Sequence, residues 1–255
     1  MKVALFVTCL VDQIMPEVGV ATVKVLRRAG YDVDFPQAQT CCGQPFFNSG
    51  FHAEAAKLAK RTIEILEPYE AVVLPSGSCT TMIRAEYPHL LEHEPTWHER
   101  AKKVGEKTFE LSEFLAKHKV MSNWVISNYQ LPNYSITYHD SCHMCRMLNL
   151  RNEPREALTR AGCEIAEMNE SDRCCGFGGL FSMRMPEVSR AMTADKLRRA
   201  AETGAETLVT ADPGCLMQMR RVQGSGEVGE RRRDGEKEKG IELKHLAVLL
   251  EELTR

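Results

Sequence analysis

The sequence predicts an α/β protein built from two repeated strand–helix units with parallel sheets, related by a pseudo-two-fold axis. Three observations lead there. Eight of the ten cysteines fall into two matched sets: Cys142, Cys174 and Cys175 each lie 133 residues beyond Cys9, Cys41 and Cys42, and Cys215 lies 136 beyond Cys79. Both adjacent Cys-Cys pairs are followed by glycine, Gly43 in one half and Gly176 in the other. The hydrophobic patterning around the cysteines repeats as well. Identical offsets of this kind mark an internal duplication.

Each unit reads in the same order. An apolar run opens it, Val3-Ala4-Leu5-Phe6-Val7 or Ser135-Ile136-Thr137-Tyr138, and delivers the first cysteine. A helix follows; in the first half Val18, Ala21, Thr22, Val25 and Ala29 recur at helical spacing, and Gly30 and Gly162 supply the stops. Short extended segments come next, Tyr31 to Asp34 and Cys163 to Ala166, then the Cys-Cys-Gly loop. A second helix, Glu54 to Leu66 or Ser189 to Glu202, leads to a last strand, Ala71 to Leu74 or Glu206 to Thr210, and the last cysteine. Strands alternating with helices imply parallel pairing through right-handed crossovers, with ligands gathered at the carboxyl ends of the strands. The three cysteine positions of each unit all follow strand ends, so they should converge. The predicted organisation is a first unit over 1–87, a connector over 88–132, a second unit over 133–220 and a tail over 221–255. The connector carries Trp97 and a helix-like stretch from Lys102 to Lys117; the tail begins in a charged loop, Arg220 to Gly240, and closes with a strand entering an amphipathic helix.

Composition narrows the function classes. With 43% hydrophobic and 27% charged residues the chain has ordinary globular composition, and a formal charge of −2 offers no basic field for nucleic acid. No apolar run approaches the roughly 20 residues of a membrane helix. The run from Val3 to Val11 is followed at once by Asp12 and Gln13, without the small residues of a cleavage site. The expected location is the cytoplasm. There thiols stay reduced, and clustered cysteines indicate metal or redox chemistry more than disulfide staples.

Four thiols per unit admit three chemistries. A structural zinc ion usually takes its thiolates from short C-x2-4-C knuckles. The one such spacing, Cys142-His143-Met144-Cys145, has no counterpart in the first half. Vicinal cysteines diverge, which suits one ion poorly and a multi-iron cluster well, since a cluster offers several metal corners. The following glycine would let backbone N–H groups approach the sulfurs and tune the potential. Thiol–disulfide exchange is the third possibility. Gly176-Phe177-Gly178-Gly179 lacks the third glycine of a dinucleotide loop, where Phe181 stands, and no phosphate-cradling loop is present. Met183, Met185 and Met192 read as core packing, and Cys145 and Cys163, outside the repeat, as packing residues.

The duplicated pattern resembles the CCG-domain proteins, which include the cysteine-rich chain of heterodisulfide reductase, and within that group the LutA/YkgE family of lactate utilization protein A. The matching stretches are Phe6-Val7-Thr8-Cys9, Cys41-Cys42-Gly43-Gln44-Pro45, Asn48-Ser49-Gly50, Ser76-Gly77-Ser78-Cys79-Thr80, Tyr138-His139, Ser141-Cys142 and Cys174-Cys175-Gly176-Phe177-Gly178-Gly179. They span nearly the whole chain. The resemblance implies a non-autonomous, cluster-bearing subunit of an oxidoreductase complex that converts L-lactate to pyruvate. Its partners would be the other subunits, through which it would associate peripherally with the membrane. It also implies one iron–sulfur cluster per repeat, of the 4Fe-4S kind. Cys9, Cys41, Cys42 and Cys79 would hold the first and Cys142, Cys174, Cys175 and Cys215 the second. The wider CCG pattern ends in C-x-x-C, whereas here Ser76 and Asp212 occupy the leading positions. Either could supply an oxygen ligand, or Asp212 could cap a turn before Pro213. Gly43, Gly176 and His139 are expected close to the clusters.

Overall fold

The computed structural model describes residues 1–118, 134–225 and 240–254. The first unit runs β1 (Lys2–Leu5), α1 (Cys9–Ile14), α2 (Pro16–Arg28), β2 (Asp32–Asp34), α3 (Gln44–Asn48), α4 (His52–Leu66), β3 (Ala71–Leu74), α5 (Gly77–Thr81), a π-helical turn (Met82–Glu86), α6 (Tyr87–Leu90), α7 (Pro95–Glu106), β4 (Thr108–Glu110) and α8 (Leu111–Lys117). The second runs β5 (Tyr134–Tyr138), a π-helical turn (His143–Met147), α9 (Asn152–Arg160), β6 (Cys163–Ile165), α10 (Leu180–Arg184), α11 (Pro186–Glu202), β7 (Thr207–Thr210), α12 (Pro213–Gly224), β8 (Glu242–His245) and α13 (Leu246–Leu253). The sheet orders match, β2-β1-β3-β4 and β6-β5-β7-β8. Every pairing is parallel. This is the duplicated α/β architecture that the cysteine offsets predict.

Continuous apolar strands such as Ala71-Val72-Val73-Leu74 fit a sheet covered by helices on both faces. Each fully buried Val, Leu or Phe contributes roughly 1.5–3 kcal/mol. One apolar cluster runs through both units, from Val3, Val11 and Phe114 to Ile136, Leu216 and Leu250. A second lies within the first unit around Phe6, Ala55, Ile63 and Leu74.

The interface between the units is reciprocal. Helix α2 packs on α13, and their counterparts α9 and α8 pack on each other; α5 meets the π-turn 143–147 while α1 meets α12. Such self-complementary exchange is the contact pattern of a two-fold axis. Arg28 pairs with the largely buried Glu251 carboxylate at 2.9 Å and donates to its carbonyl oxygen at 2.8 Å. Gly77 lies so close to Met144 that a Cβ added there would meet the Met144 Cγ at 2.2 Å.

The fourth strand of each sheet lies outside the unit boundaries expected from sequence. The stretch Lys102 to Lys117 is not one helix: α7 ends at Glu106, β4 intervenes and α8 follows. Three residues are too few to show a strand period, and β4 exists because Thr108–Glu110 register with Val72–Leu74. Likewise Arg220 to Gly224 close helix α12 and are not loop. Residues 226–239 of the charged loop and 119–132 of the connector lie outside the described residues.

Candidate functional site

Local rules place each cysteine. Thr8 Oγ1 caps α1 by accepting from the Val11 N–H, and Ser141 Oγ accepts from the Met144 N–H at the same position of the repeat, 3.4 Å in both cases. Cys9 and Cys142 therefore begin helical turns directly after β1 and β5. The Cys-Cys pairs sit in loops after β2 and β6 that end in left-handed glycines, Gly43 at φ +90° and Gly176 at φ +86°. At Gly176 a Cβ would strike the Ser189 carbonyl oxygen at 2.4 Å, so glycine is required there. Cys79 and Cys215 lie in the first turns of α5 and α12, just past β3 and β7.

The structure brings the four repeat thiols of each unit together. In the first, Cys9 Sγ lies 3.7 Å from Cys41 Sγ and Cys42 Sγ lies 3.3 Å from Cys79 Sγ. In the second, Cys175 Sγ is 3.1 Å from Cys215 Sγ, and the Cys142 thiol lies against Cys174. In each set two sulfurs are buried (Cys42 and Cys79, Cys175 and Cys215) and two partly exposed. The N–H groups of Gly43 and Gly176 donate to Cys41 and Cys174 Sγ, each at 3.4 Å.

Proton sharing within the sets is the same. Hydrogen bonds from Cys42, Cys9 and the Gly43 N–H pull Cys41 down to about 3. Those from Cys142, Cys175 and the Gly176 N–H pull Cys174 down to about 2. The thiols that donate, Cys9 and Cys42 to Cys41, and Cys142 and Cys175 to Cys174, are held well above their ordinary value. One thiolate per set is favoured, and ionising the others in a crowded, half-buried place requires a positive counter-charge. A metal core held by these thiols would supply that charge in place of the protons. Four convergent sulfurs with backbone N–H donors alongside fit an iron–sulfur cluster.

Ser76 and Asp212 occupy equivalent N-cap positions. Ser76 Oγ accepts from the Cys79 N–H at 3.3 Å. Asp212 accepts from the Gly214 N–H at 3.0 Å and, across the unit interface, from the Ser78 N–H at 2.8 Å. Both carboxylate oxygens are thereby engaged in capping and bridging. His139 is fully buried, with a ring nitrogen within 4.8 Å of the Cys175 and Cys215 sulfurs. Burial and the nearby Lys196 push its pKa down to about 4, keeping the imidazole neutral. Cys163 sits in β6, where burial raises its thiol to about 12. Met183 and Met185 are exposed, 78% and 51%, so the reading of that methionine series as core packing is corrected: Met183 lies within the short helix α10 and Met185 at its C-cap, both toward solvent.

Sequence reasoning missed several neighbours. Tyr87 Oη donates to the Cys42 carbonyl oxygen at 2.7 Å, and Thr193 Oγ1 does the same for Cys175 at 2.7 Å. Lys196, fully buried, donates to the carbonyl oxygens of Glu170 and Ser171 at 2.9 and 3.1 Å. Gln44 Nε2 bonds the Ser78 carbonyl oxygen at 3.0 Å and lies 3.4 Å from His143 Nε2, beside Cys142. Setting α4 against α11 by their apolar faces, one residue beyond the 133 offset of the Cys-Cys-Gly loops, would have exposed Thr193 and Lys196, because Ala59 and Thr62 hold those places in the first half.

The family model for the cysteine-rich CCG domain matches twice, over residues 3–84 and 136–220. Lactate utilization protein A of Bacillus subtilis is 44% identical over 251 residues, covering 98% of this chain and 99% of that protein. Lactate utilization protein A of Halalkalibacterium halodurans is 45% identical over 252 residues, covering 98% and 96%. Lactate utilization protein A 1 of Bacillus cereus is 48% identical over 219 residues, covering 85% and 89%. A duplicated sheet, a duplicated cysteine set and likeness along the whole chain agree: the chain belongs to the lactate utilization protein A family, built on two CCG cysteine-rich domains.

Proposed function

We propose that this chain is the electron-carrying iron–sulfur subunit of a multi-protein system that oxidises L-lactate to pyruvate. The observation that carries the reading is the convergence of four thiols in each of two units, with both sets set against one packed interface. Cys9, Cys41, Cys42 and Cys79 hold one 4Fe-4S cluster, and Cys142, Cys174, Cys175 and Cys215 the other. Such clusters take up and release electrons one at a time. The chain's own residues join the two sites by direct contacts. Ser78, next to Cys79, donates to the Asp212 carboxylate that caps the Cys215 helix, and Gln44, next to Gly43, meets His143, next to Cys142. The partly exposed faces at Cys9, Cys41, Cys142 and Cys174 are where partners would exchange electrons.

Removing two electrons and two protons (a hydride and a proton) from a 2-hydroxy acid calls for a hydride acceptor or comparable cofactor, whose binding motif the sequence does not carry. That step belongs to a partner subunit, and the isolated chain should not oxidise lactate at a useful rate. The cytoplasm, which keeps thiols reduced, is the proposed location.

A second reading, thiol–disulfide exchange, is favoured by the low-pKa Cys41 thiolate lying against the Cys9 thiol. One experiment separates the two. Iron and acid-labile sulfide analysis of anaerobically purified protein should find both elements, with a brown absorbance that bleaches on reduction. Colourless, iron-free protein that reduces a small disulfide would replace the first reading by the second.

A further inference from the structure

The two sites differ at one position of the repeat. The Phe6 N–H bonds the Val73 carbonyl oxygen at 3.0 Å, and the His139 N–H bonds the Val209 carbonyl oxygen at 2.9 Å. These bonds tie corresponding strands, so Phe6 and His139 are the same place in the two units. Phe6 belongs to the apolar cluster that also contains Cys42 and Cys79. Where that phenyl ring packs, the second unit turns a fully buried imidazole toward Cys175 and Cys215.

The tautomer of this imidazole follows from its partners. Nδ1 lies 3.3 Å from the Ser171 carbonyl oxygen. A carbonyl oxygen only accepts, so Nδ1 carries the proton. Nε2 then presents a lone pair, and it has no hydrogen-bond partner among the described residues. The carbonyl that orients the ring is itself fixed, because Lys196 Nζ donates to it at 3.1 Å while Ser171 Oγ donates to Asp140 at 2.7 Å. An imidazole held by one N–H to a backbone carbonyl, with its other nitrogen unpartnered among the described residues and a ring nitrogen within 4.8 Å of two cysteine sulfurs, has the arrangement of a metal ligand. To donate a hydrogen bond to a thiolate instead, it would need its proton on Nε2, which would set the Nδ1 lone pair against the Ser171 oxygen.

We propose that the second unit's site is a mixed sulfur–nitrogen site, in which His139 Nε2 ligates the metal core beside Cys175 and Cys215, whereas the first site is ligated by sulfur alone. This rests on the reading that both units bind a metal cluster, and it makes the two clusters chemically distinct. Nitrogen ligation at one site and sulfur alone at the other sets the two potentials apart.

Pulsed electron paramagnetic resonance of the reduced, anaerobically purified full chain tests it. One cluster signal should show the strong hyperfine coupling of a directly bonded nitrogen, and growth with heavy-isotope histidine should change that coupling without any substitution. In His139→Phe the coupling should vanish, and the potential of one cluster should shift while the other stays put. Iron-loaded protein with only weak nitrogen coupling, or with strong coupling that survives His139→Phe, overturns the inference and leaves the cluster reading intact. Protein that never holds iron and sulfide sinks the cluster reading itself. The inference then stands or falls on cobalt(II) loaded into the reduced chain: a histidine-nitrogen coupling lost in His139→Phe supports it, and a sulfur-only or unbound cobalt overturns it.

Discussion

The two units hold the same sulfur geometry by different physical means. Along α4 the buried face is Ala55, Ala59, Thr62, Ile63 and Leu66; along α11 it is Ser189, Thr193, Lys196, Leu197 and Ala200, in the same register. The first unit wraps its Cys-Cys-Gly loop in alanine and reaches the Cys42 carbonyl with Tyr87 from another element. The second uses a polar lattice: Thr193 on the Cys175 carbonyl, Ser189 on the Gly176 carbonyl, Gln218 on both hydroxyls and Lys196 on the loop before the cysteines. The comparison teaches that the cysteines and their glycine define the site, while the surroundings are free to set its electrostatics.

The largest expected effect tests whether the sites are independent. Cys42→Ala and Cys175→Ala each remove a thiolate that has no spare. Each variant should lose about half the iron and sulfide, and the double variant nearly all. Either single change should stop lactate-dependent electron flow in the reconstituted system. Cys163→Ala, outside both sets, should leave metal content and electron flow unchanged. Metal analysis and visible spectra read the result.

Next, the glycines should respond unequally. Alanine at Gly43 meets the strain of a left-handed backbone, about 1–2 kcal/mol, with its nearest neighbours at 3.4 Å. At Gly176 the same strain is joined by the Ser189 oxygen at 2.4 Å. Gly176→Ala should therefore lose more than about 2 kcal/mol and Gly43→Ala less, measured by denaturant unfolding of matched apoproteins.

A third contrast concerns pH. The fourth strands deliver buried ionisable caps at equivalent places, Glu110 on the Ser112 N–H and His245 on the Ala247 N–H. Burial raises Glu110 from 4.5 to about 8, so the folded state holds its proton more tightly and its contribution is lost as pH rises between those values. Burial lowers His245 from 6.5 to about 3, so its contribution is lost as pH falls between those values. Glu110→Gln should flatten the alkaline side of the stability profile and His245→Asn the acid side, each by a slope of up to about 1.4 kcal/mol per pH unit. Thermal or denaturant midpoints across pH 4 to 8 check both.

The smallest effect is a tuning of potential. Lys196 places a cation in the second unit where the first has Thr62. Lys196→Met should lower one cluster's midpoint potential by on the order of tens of millivolts, seen in a redox titration of the anaerobic protein. An unchanged pair of potentials would mean that the lattice is structural only.

How much of this the sequence disclosed depended on the range of the interactions. The strands of the repeat and the converging thiols were legible because apolar runs and offsets are local patterns repeated twice. Strand β4 was hidden inside a helix-like stretch because it is made by pairing with β3. Asp212 was legible as a cap but not as a bridge to Ser78, since that partner sits 134 residues away. His139 stood out beside Asp140, yet its free Nε2 depends on Ser171, 32 residues on, and no spacing rule announces that contact. Met183 and Met185 misled because hydrophobic character alone does not say which side of a five-residue helix faces the core.

The reciprocal packing of α2 on α13 and α8 on α9 carries a last consequence. In a dimer of separate identical chains every substitution is made in both halves, so a lysine or histidine gained near one site is imposed on the other. Joining the halves in one polypeptide lifts that constraint, and tethering also keeps the interface occupied at any protein concentration. Ala59 and Thr193, Thr62 and Lys196, Phe6 and His139 are what such release permits: a scaffold still symmetric in outline whose two cysteine sites stand in surroundings that an exact two-fold would force to be the same.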